Sequence, residues 1–133
     1  AHVAGADLSP KLLEIAASRG CYDSVHEVDL AAELPFESRA FDVVSCVGTL
    51  TYLSPSSGVL DEFVRVSRPG GFVAYNLRTD HDDAWQGAQR ALVDAGKWRL
   101  LERSEPVPYL PDNPDYGDKV LTVIYTYEVM PHL

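Results

Sequence analysis

At 133 residues, 46% apolar and 23% charged, the chain has the size and composition of one globular domain with a real core. Its net charge of −9 argues against a nucleic-acid backbone or an anionic membrane as partner, and no apolar run is long enough to cross a bilayer. Nothing at the start reads as a signal peptide. Cys21 and Cys46 have neither metal-ligand nor disulfide spacing, so a reducing, cytoplasmic setting is expected.

Helix and strand patterns alternate along the chain. HVAGAD reads as a strand, and SPKLLEIAASRG as a helix capped by Ser9, with Pro10 in its first turn and Gly20 as its stop. Leu12, Ile15 and Ala16 form its expected buried face. SVHEVD is a second strand ending at Asp29, and LAAELPFESRA a short link. FDVVSCVG is nearly continuous in apolar residues, as a strand covered on both faces should be. A helix is expected from Ser56 or Ser57, with Leu60, Phe63 and Val64 inward, broken at Pro69 and Gly70 before the strand GFVAYNL. A helix from about Asp82 to Ala95 follows, stopped by Gly96. WRLLERSEPV and KVLTVIYTYEVM read as strands joined by a Pro-, Asp- and Gly-rich loop, PYLPDNPDYGDK, with no helix between them. Such a connection joins antiparallel neighbours. The expected fold is therefore α/β: a mostly parallel sheet with helices on both faces and a C-terminal antiparallel pair.

Asp7 and Asp29 both stand at strand ends. In a parallel sheet these ends share one edge, where α/β folds bind ligands. A carboxylate there can accept two hydrogen bonds from a ribose diol, and a second, one strand out, can reach an exocyclic amine. The plainer account of both residues is turn and cap formation.

GADLSPKLLEIA, LPFESRAFDVVSCVGTLTYL and FVRVSRPGGFVAYNLR, in this order and spacing, resemble segments of class I S-adenosylmethionine-dependent methyltransferases. CVGTLTYL, RPGGFVAYNLR and EPVPYLPDNPD further resemble the methyltransferase-like proteins of the Williams–Beuren chromosomal region. The resemblance implies a Rossmann-like fold, S-adenosylmethionine as cofactor and a small-molecule acceptor. It implies that Asp7 meets the ribose, Leu8 packs on the adenine, and Asp29 with Leu30 meets the adenine edge. Cys46, Val47 and Gly48 would line the methionine side, and Thr49, Thr51 and Tyr52 would face the substrate. Tyr109 would belong to a substrate lid, its plainer role being a loop anchor. The family's first strand and its glycine-rich loop are missing here, as this sequence would begin at the family's second strand. Two consequences are expected. The strand ending at Asp7 pairs directly with FDVVSC or leaves an edge through which the chain forms a homo-oligomer. The 133-residue chain also binds cofactor feebly and is inactive alone.

Methyl transfer from a sulfonium needs alignment and exclusion of water more than it needs a base. His81 and Tyr52 are the candidates for a catalytic group. The plainer account of His81 is a solvated residue in an acidic first turn, and HDD lacks a third ligand at metal spacing. Tyr125 and Tyr127 read as sheet packing. The rival readings are a non-catalytic methyltransferase-fold fragment or interaction module, and a nicotinamide-dependent oxidoreductase. The antiparallel ending and the lack of a Tyr-x-x-x-Lys pair argue against the oxidoreductase.

Overall fold

Among residues 2–110, 112–115 and 117–131, which the computed structural model describes, strands and helices alternate as β1 (Ala4–Asp7), α1 (Pro10–Ser18), β2 (Ser24–Glu27), β3 (Phe41–Cys46), α2 (Val59–Val66), β4 (Ser67–Arg78), α3 (Asp82–Asp94), β5 (Trp98–Arg103), β6 (Val107–Leu110) and β7 (Gly117–Val129). β3 and β4 are parallel, and β7 runs antiparallel to β4, β5 and β6 in a five-stranded sheet. β1 and β2 form a separate parallel pair. The expected α/β architecture with a parallel start and antiparallel end is borne out.

The expected direct pairing of β1 with β3 does not form. Among the described residues β1 bonds only to β2, and β3 only to β4. The edges are tolerable because they are wet rather than buried: Val43 in β3 is 59% exposed, and Asp7 is exposed. Buried amides would carry a desolvation cost that solvated ones escape. For the same reason FDVVSC is not covered on both faces, although its apolar run reads that way.

The β1–β2 pair is held to the larger sheet through the link that follows it. Phe36 meets His26 and Phe41 edge-on, with ring centroids 5.0 and 5.1 Å apart. Arg65 donates to the carbonyls of Phe36 and Leu34, both at 3.0 Å. Glu62 accepts from Leu34 N–H at 2.7 Å and from Arg65 Nε at 2.7 Å. Arg65 in turn holds the Glu62 carboxyl below its ordinary range.

Three local expectations change. α1 buries Leu13 and half-buries Ala16, leaving Leu12 and Ile15 exposed, because it packs chiefly on the small β1–β2 pair. α2 starts at Val59 rather than Ser56: Ser54 caps a single 3-10 turn over Pro55–Ser57, and Gly58, at φ 84°, turns the chain before the helix begins. The Pro69–Gly70–Gly71 segment does not separate helix from strand. It lies inside β4, whose first residue, Ser67, donates its hydroxyl to Phe63 O at 2.6 Å. Glycine is required at 71, since a Cβ there would sit 2.5 Å from the carbonyl oxygen of Asp42. Further on, the expected strand WRLLERSEPV is split: β5 ends at Arg103, and the expected strand's last residue, Val107, opens β6, which runs into the expected loop and pairs with β7; Pro111 and Tyr116 of that loop lie outside the described residues.

The core is one cluster in which α2 contributes Val59, Leu60, Phe63 and Val64, α3 contributes Trp85 and Leu92, and β4 and β7 contribute Val73, Leu77 and Val123. Tyr75, Trp98, Tyr125 and Tyr127 stack across β4, β7 and β5, with Trp98 and Tyr127 centroids 3.9 Å apart. Tyr125 and Tyr127 are thus sheet packing, as expected. Burial pushes the Tyr127 hydroxyl up to about 12.

Candidate functional site

Asp7 ends β1 and faces Glu27 in register; Asp29 stands two residues beyond that partner. The parallel pairing therefore brings the two carboxylates to one edge. Each folds back on its own chain: Asp7 Oδ1 accepts from Ser9 N–H at 2.9 Å, and Asp29 Oδ1 accepts from Ala31 N–H at 2.9 Å. These bonds are the plainer turn role, and they fix each side chain in one orientation. The second oxygen of each accepts no hydrogen bond among the described residues, and both residues are exposed. Leu8 is exposed beside Asp7. Leu30 is half-buried and packs on the core, so its backbone is anchored next to Asp29.

At the end of β3, Cys46 is buried opposite Tyr75. Burial raises its thiol to about 11, so at neutral pH it is a protonated core group rather than a nucleophile. Val47 is 78% exposed. Gly48 turns at φ 74°, and a Cβ there would lie 2.8 Å from the Tyr109 hydroxyl. Two residues singled out separately in the sequence are thus in close approach. Thr49 precedes the 3-10 turn Leu50–Tyr52, Thr51 is half-buried within it, and Tyr52 is 83% exposed.

The residue that organises this turn is one the sequence reading missed. Asn76 Oδ1 accepts from Gly48 N–H at 2.7 Å, and its Nδ2 donates to Thr122 Oγ1 at 3.1 Å. The Thr122 hydroxyl in turn donates to Leu77 O at 2.9 Å. The turn after β3 is therefore tied to the β4–β7 ladder. The available signal was a lone amide in the otherwise apolar strand GFVAYNL. A cavity of about 300 Å³ opens beside this relay, with Val47 and Tyr109 in its wall. Thr49, Thr51, Tyr52 and His81 do not line it.

His81 is the N-cap residue of α3 but makes no side-chain cap bond; its amide donates to Arg78 O at 2.9 Å. Its neighbour Asp80 pairs with Arg78, which lowers the carboxyl below its usual range. The next acid, Asp82, is buried in a hydrogen-bonded group with Tyr125 and Arg103. No group of three or more His, Cys, Asp or Glu able to hold a metal occurs among the described residues. Nor is any helix among them long and apolar enough to cross a membrane.

Asp7 at the end of β1, Asp29 just past the end of β2 and a glycine turn over a cavity after β3 all stand at strand ends, where α/β folds bind ligands. The chain belongs to the methyltransferase-domain family, whose model matches residues 1–75. It is 35% identical over 77 residues to a demethylmenaquinone methyltransferase of Listeria monocytogenes serotype 4a, a match covering 55% of this chain and 32% of that protein. It is 36% identical over 73 residues to one of Tropheryma whipplei strain Twist, covering 53% and 30%. The matched stretch thus spans about a third of these relatives' length. Among solved structures, it superposes on the [4+2]-cyclase SpnF with TM-score 0.72 at 20% identity, covering 98% of this chain and 67% of that one. The N-methyltransferase NodS of Bradyrhizobium japonicum WM9 gives 0.69 at 17%, covering 98% and 74%. At these identities the structural likenesses establish the fold alone.

Proposed function

We propose that the chain takes part in S-adenosylmethionine-dependent methyl transfer to a small-molecule acceptor. The observation that carries this reading is the pair of strand-end carboxylates. Asp7 and Asp29 are each held in place by one oxygen and keep the other for a ligand. These acceptors suit a nucleoside, whose two hydroxyls would donate on the Asp7 side and whose amine edge would donate on the Asp29 side, with exposed Leu8 as an apolar contact for the base. S-adenosylmethionine, when bound, supplies a methyl group on a good leaving group. The chain's own work is to orient: Asp7 and Asp29 hold the nucleoside end, and the turn at Val47–Gly48, tied down by Asn76, presents its backbone to the other end. No side chain with a neutral-range base is needed for acceptors that arrive in the reactive protonation state. Family membership sets the nicotinamide reading aside.

The names of the matched relatives make a ring compound one acceptor to try. Closeness to the Williams–Beuren region proteins rests on CVGTLTYL, RPGGFVAYNLR and EPVPYLPDNPD. A cytoplasmic setting fits the two free cysteines. A homo-oligomer through β1 and β3 is supported by the one edge of each that has no strand partner among the described residues.

Calorimetric titration with S-adenosylhomocysteine, in any form of the protein that binds it, tests the site. Asp7→Ala removes hydrogen bonds to a charged group, each contributing roughly 1.5–3 kcal/mol, so affinity should fall at least about tenfold. Asp94→Ala, on the exposed end of α3, should leave it unchanged. Equal affinity of Asp7→Ala and the parent would remove Asp7 from the site.

A further inference from the structure

The four rings stacked across β4, β7 and β5 form one continuous aromatic body. Trp98 and Tyr127 lie 3.9 Å apart between centroids and Tyr127 and Tyr125 6.3 Å, while Tyr75 lies 5.7 Å from Tyr125, 6.1 Å from Tyr127 and 6.3 Å from Trp98. Every ring is thus at most two steps from Tyr125. All four are buried, none above 3% exposed. Burial raises the Tyr75, Tyr125 and Tyr127 hydroxyls, so all three are protonated at neutral pH. The rings differ in where their protons can go. Trp98 Nε1 donates to the Gln89 carbonyl at 3.3 Å, which is no base. The Tyr75 hydroxyl accepts from Gln89 Nε2 at 2.7 Å. Among the described residues, Tyr125 alone of the four donates to a carboxylate, Asp82 Oδ1. Arg103 Nε and Gln86 Nε2 donate to the same phenol oxygen at 3.1 and 3.3 Å, which leaves Asp82 as the receiver of its proton. Arg103 Nη2 holds the other oxygen of Asp82 at 3.0 Å.

We propose that the stack is a relay for a single oxidising equivalent, and that Tyr125 with Asp82 is the site where it comes to rest. The substrate class is a diffusing one-electron oxidant, such as a carbonate radical or a high-valent metal complex. It takes one electron from a ring of the stack. Neighbouring rings refill the vacancy until Tyr125 supplies the last electron. A phenol that loses an electron becomes a strong acid, so its proton crosses the existing hydrogen bond to Asp82 Oδ1. The O–H bond of Tyr125 breaks, and that of the Asp82 carboxylic acid forms. The oxidant ends one electron richer, and Tyr125 ends as a neutral phenoxyl radical. The positive charge left behind is that of Arg103, now without its counterion. Its side chain is 42% exposed, so water takes over the solvation. The same hole on Tyr75 or Trp98 would leave a cation in the core with no carboxylate hydrogen-bonded to it. Neither cofactor nor methyl acceptor takes part.

Flash-generated tris(bipyridine)ruthenium(III) supplies the oxidant, and transient absorption follows the tryptophanyl and tyrosyl radicals. Radicals on surface tyrosines such as Tyr52, 83% exposed, couple pairwise and vanish, whereas one on buried Tyr125 is shielded and persists. In the parent, a tryptophanyl signal should decay as a long-lived tyrosyl signal rises. The rate should be independent of protein concentration and slower in deuterium oxide. Trp98→Phe should remove this tryptophanyl precursor. In Asp82→Asn, which keeps an acceptor oxygen but no base, the tyrosyl rise should be at least about tenfold slower. In Tyr125→Phe the long-lived tyrosyl signal should be lost. Near-ultraviolet circular dichroism reports whether each variant keeps the stack, and the deuterium comparison, made on the parent, decides where a variant does not. A long-lived tyrosyl signal of parental size in folded Tyr125→Phe, an unchanged rate in folded Asp82→Asn, an unchanged precursor in folded Trp98→Phe, or no deuterium effect would overturn the proposal.

Discussion

Glu62 and Arg65 join the small β1–β2 pair to the rest of the molecule with two side chains. Glu62 accepts from Leu34 N–H and from Arg65, and Arg65 reaches the carbonyls of Leu34 and Phe36. Both side chains are largely shielded, which separates this pair from the surface ion pairs that add little. The folded carboxyl sits below its ordinary range because of Arg65. A depressed carboxyl contributes stability that is present above its unfolded pKa and is lost as pH falls through the folded value. Glu62→Gln should therefore cost about 1–2 kcal/mol at neutral pH, and the difference from the parent should shrink as the buffer is taken below about pH 4. Urea melts at pH 7 and pH 3.5 check it; an equal loss at both would show that the charge on Glu62 contributes nothing.

At the scale of elements, β3 and β4 meet in a close backbone approach. Their register slips between Phe41 and Val43, and at that point the Asp42 carbonyl crosses the Cα of Gly71. Gly71→Ala would drive a methyl group into backbone that cannot rotate aside. Overpacking of this kind costs about 1–3 kcal/mol. The substitution should lower the thermal midpoint and weaken the amide protection of β3. Gly58→Ala makes a different comparison: there a Cβ meets nothing within 4 Å, but φ is 84°, so the cost is conformational alone. Equal protection of β3 amides in the Gly71→Ala variant and the parent would show that the strands part without cost.

For the molecule as a whole, the two sheets differ in what secures them. β4 and β7 are paired on both sides and buried under α2 and α3, whereas β1 and β2 have one short ladder and α1. Local opening should follow this difference. Native-state hydrogen exchange should find β1 and β2 amides exchanging at a lower free energy than those of Val73–Leu77 and Val123–Tyr127. A single free energy for all strands would instead make the two sheets one cooperative unit. Oligomer formation through β1 and β3 would appear as concentration-dependent protection of the amides of both strands.

Much of this was legible in residue order. Ser9–Pro10, the Asp82–Asp94 helix, the antiparallel ending and the tyrosine stack follow from capping, periodicity and β propensity, which are local properties of the chain. Asp7 and Asp29 could be singled out because strand ends are visible as changes of pattern. Tertiary structure alone decided what covers what. Leu12 and Val43 are apolar in sequence, yet exposed, because burial depends on neighbours that the sequence does not list. Gly71 is glycine because of a carbonyl twenty-nine positions away, a contact no local pattern encodes. Asn76 reads as an oddity inside a strand until the fold sets it opposite Gly48. A hydrogen bond between residues twenty-eight positions apart exists only once β3 and β4 are side by side.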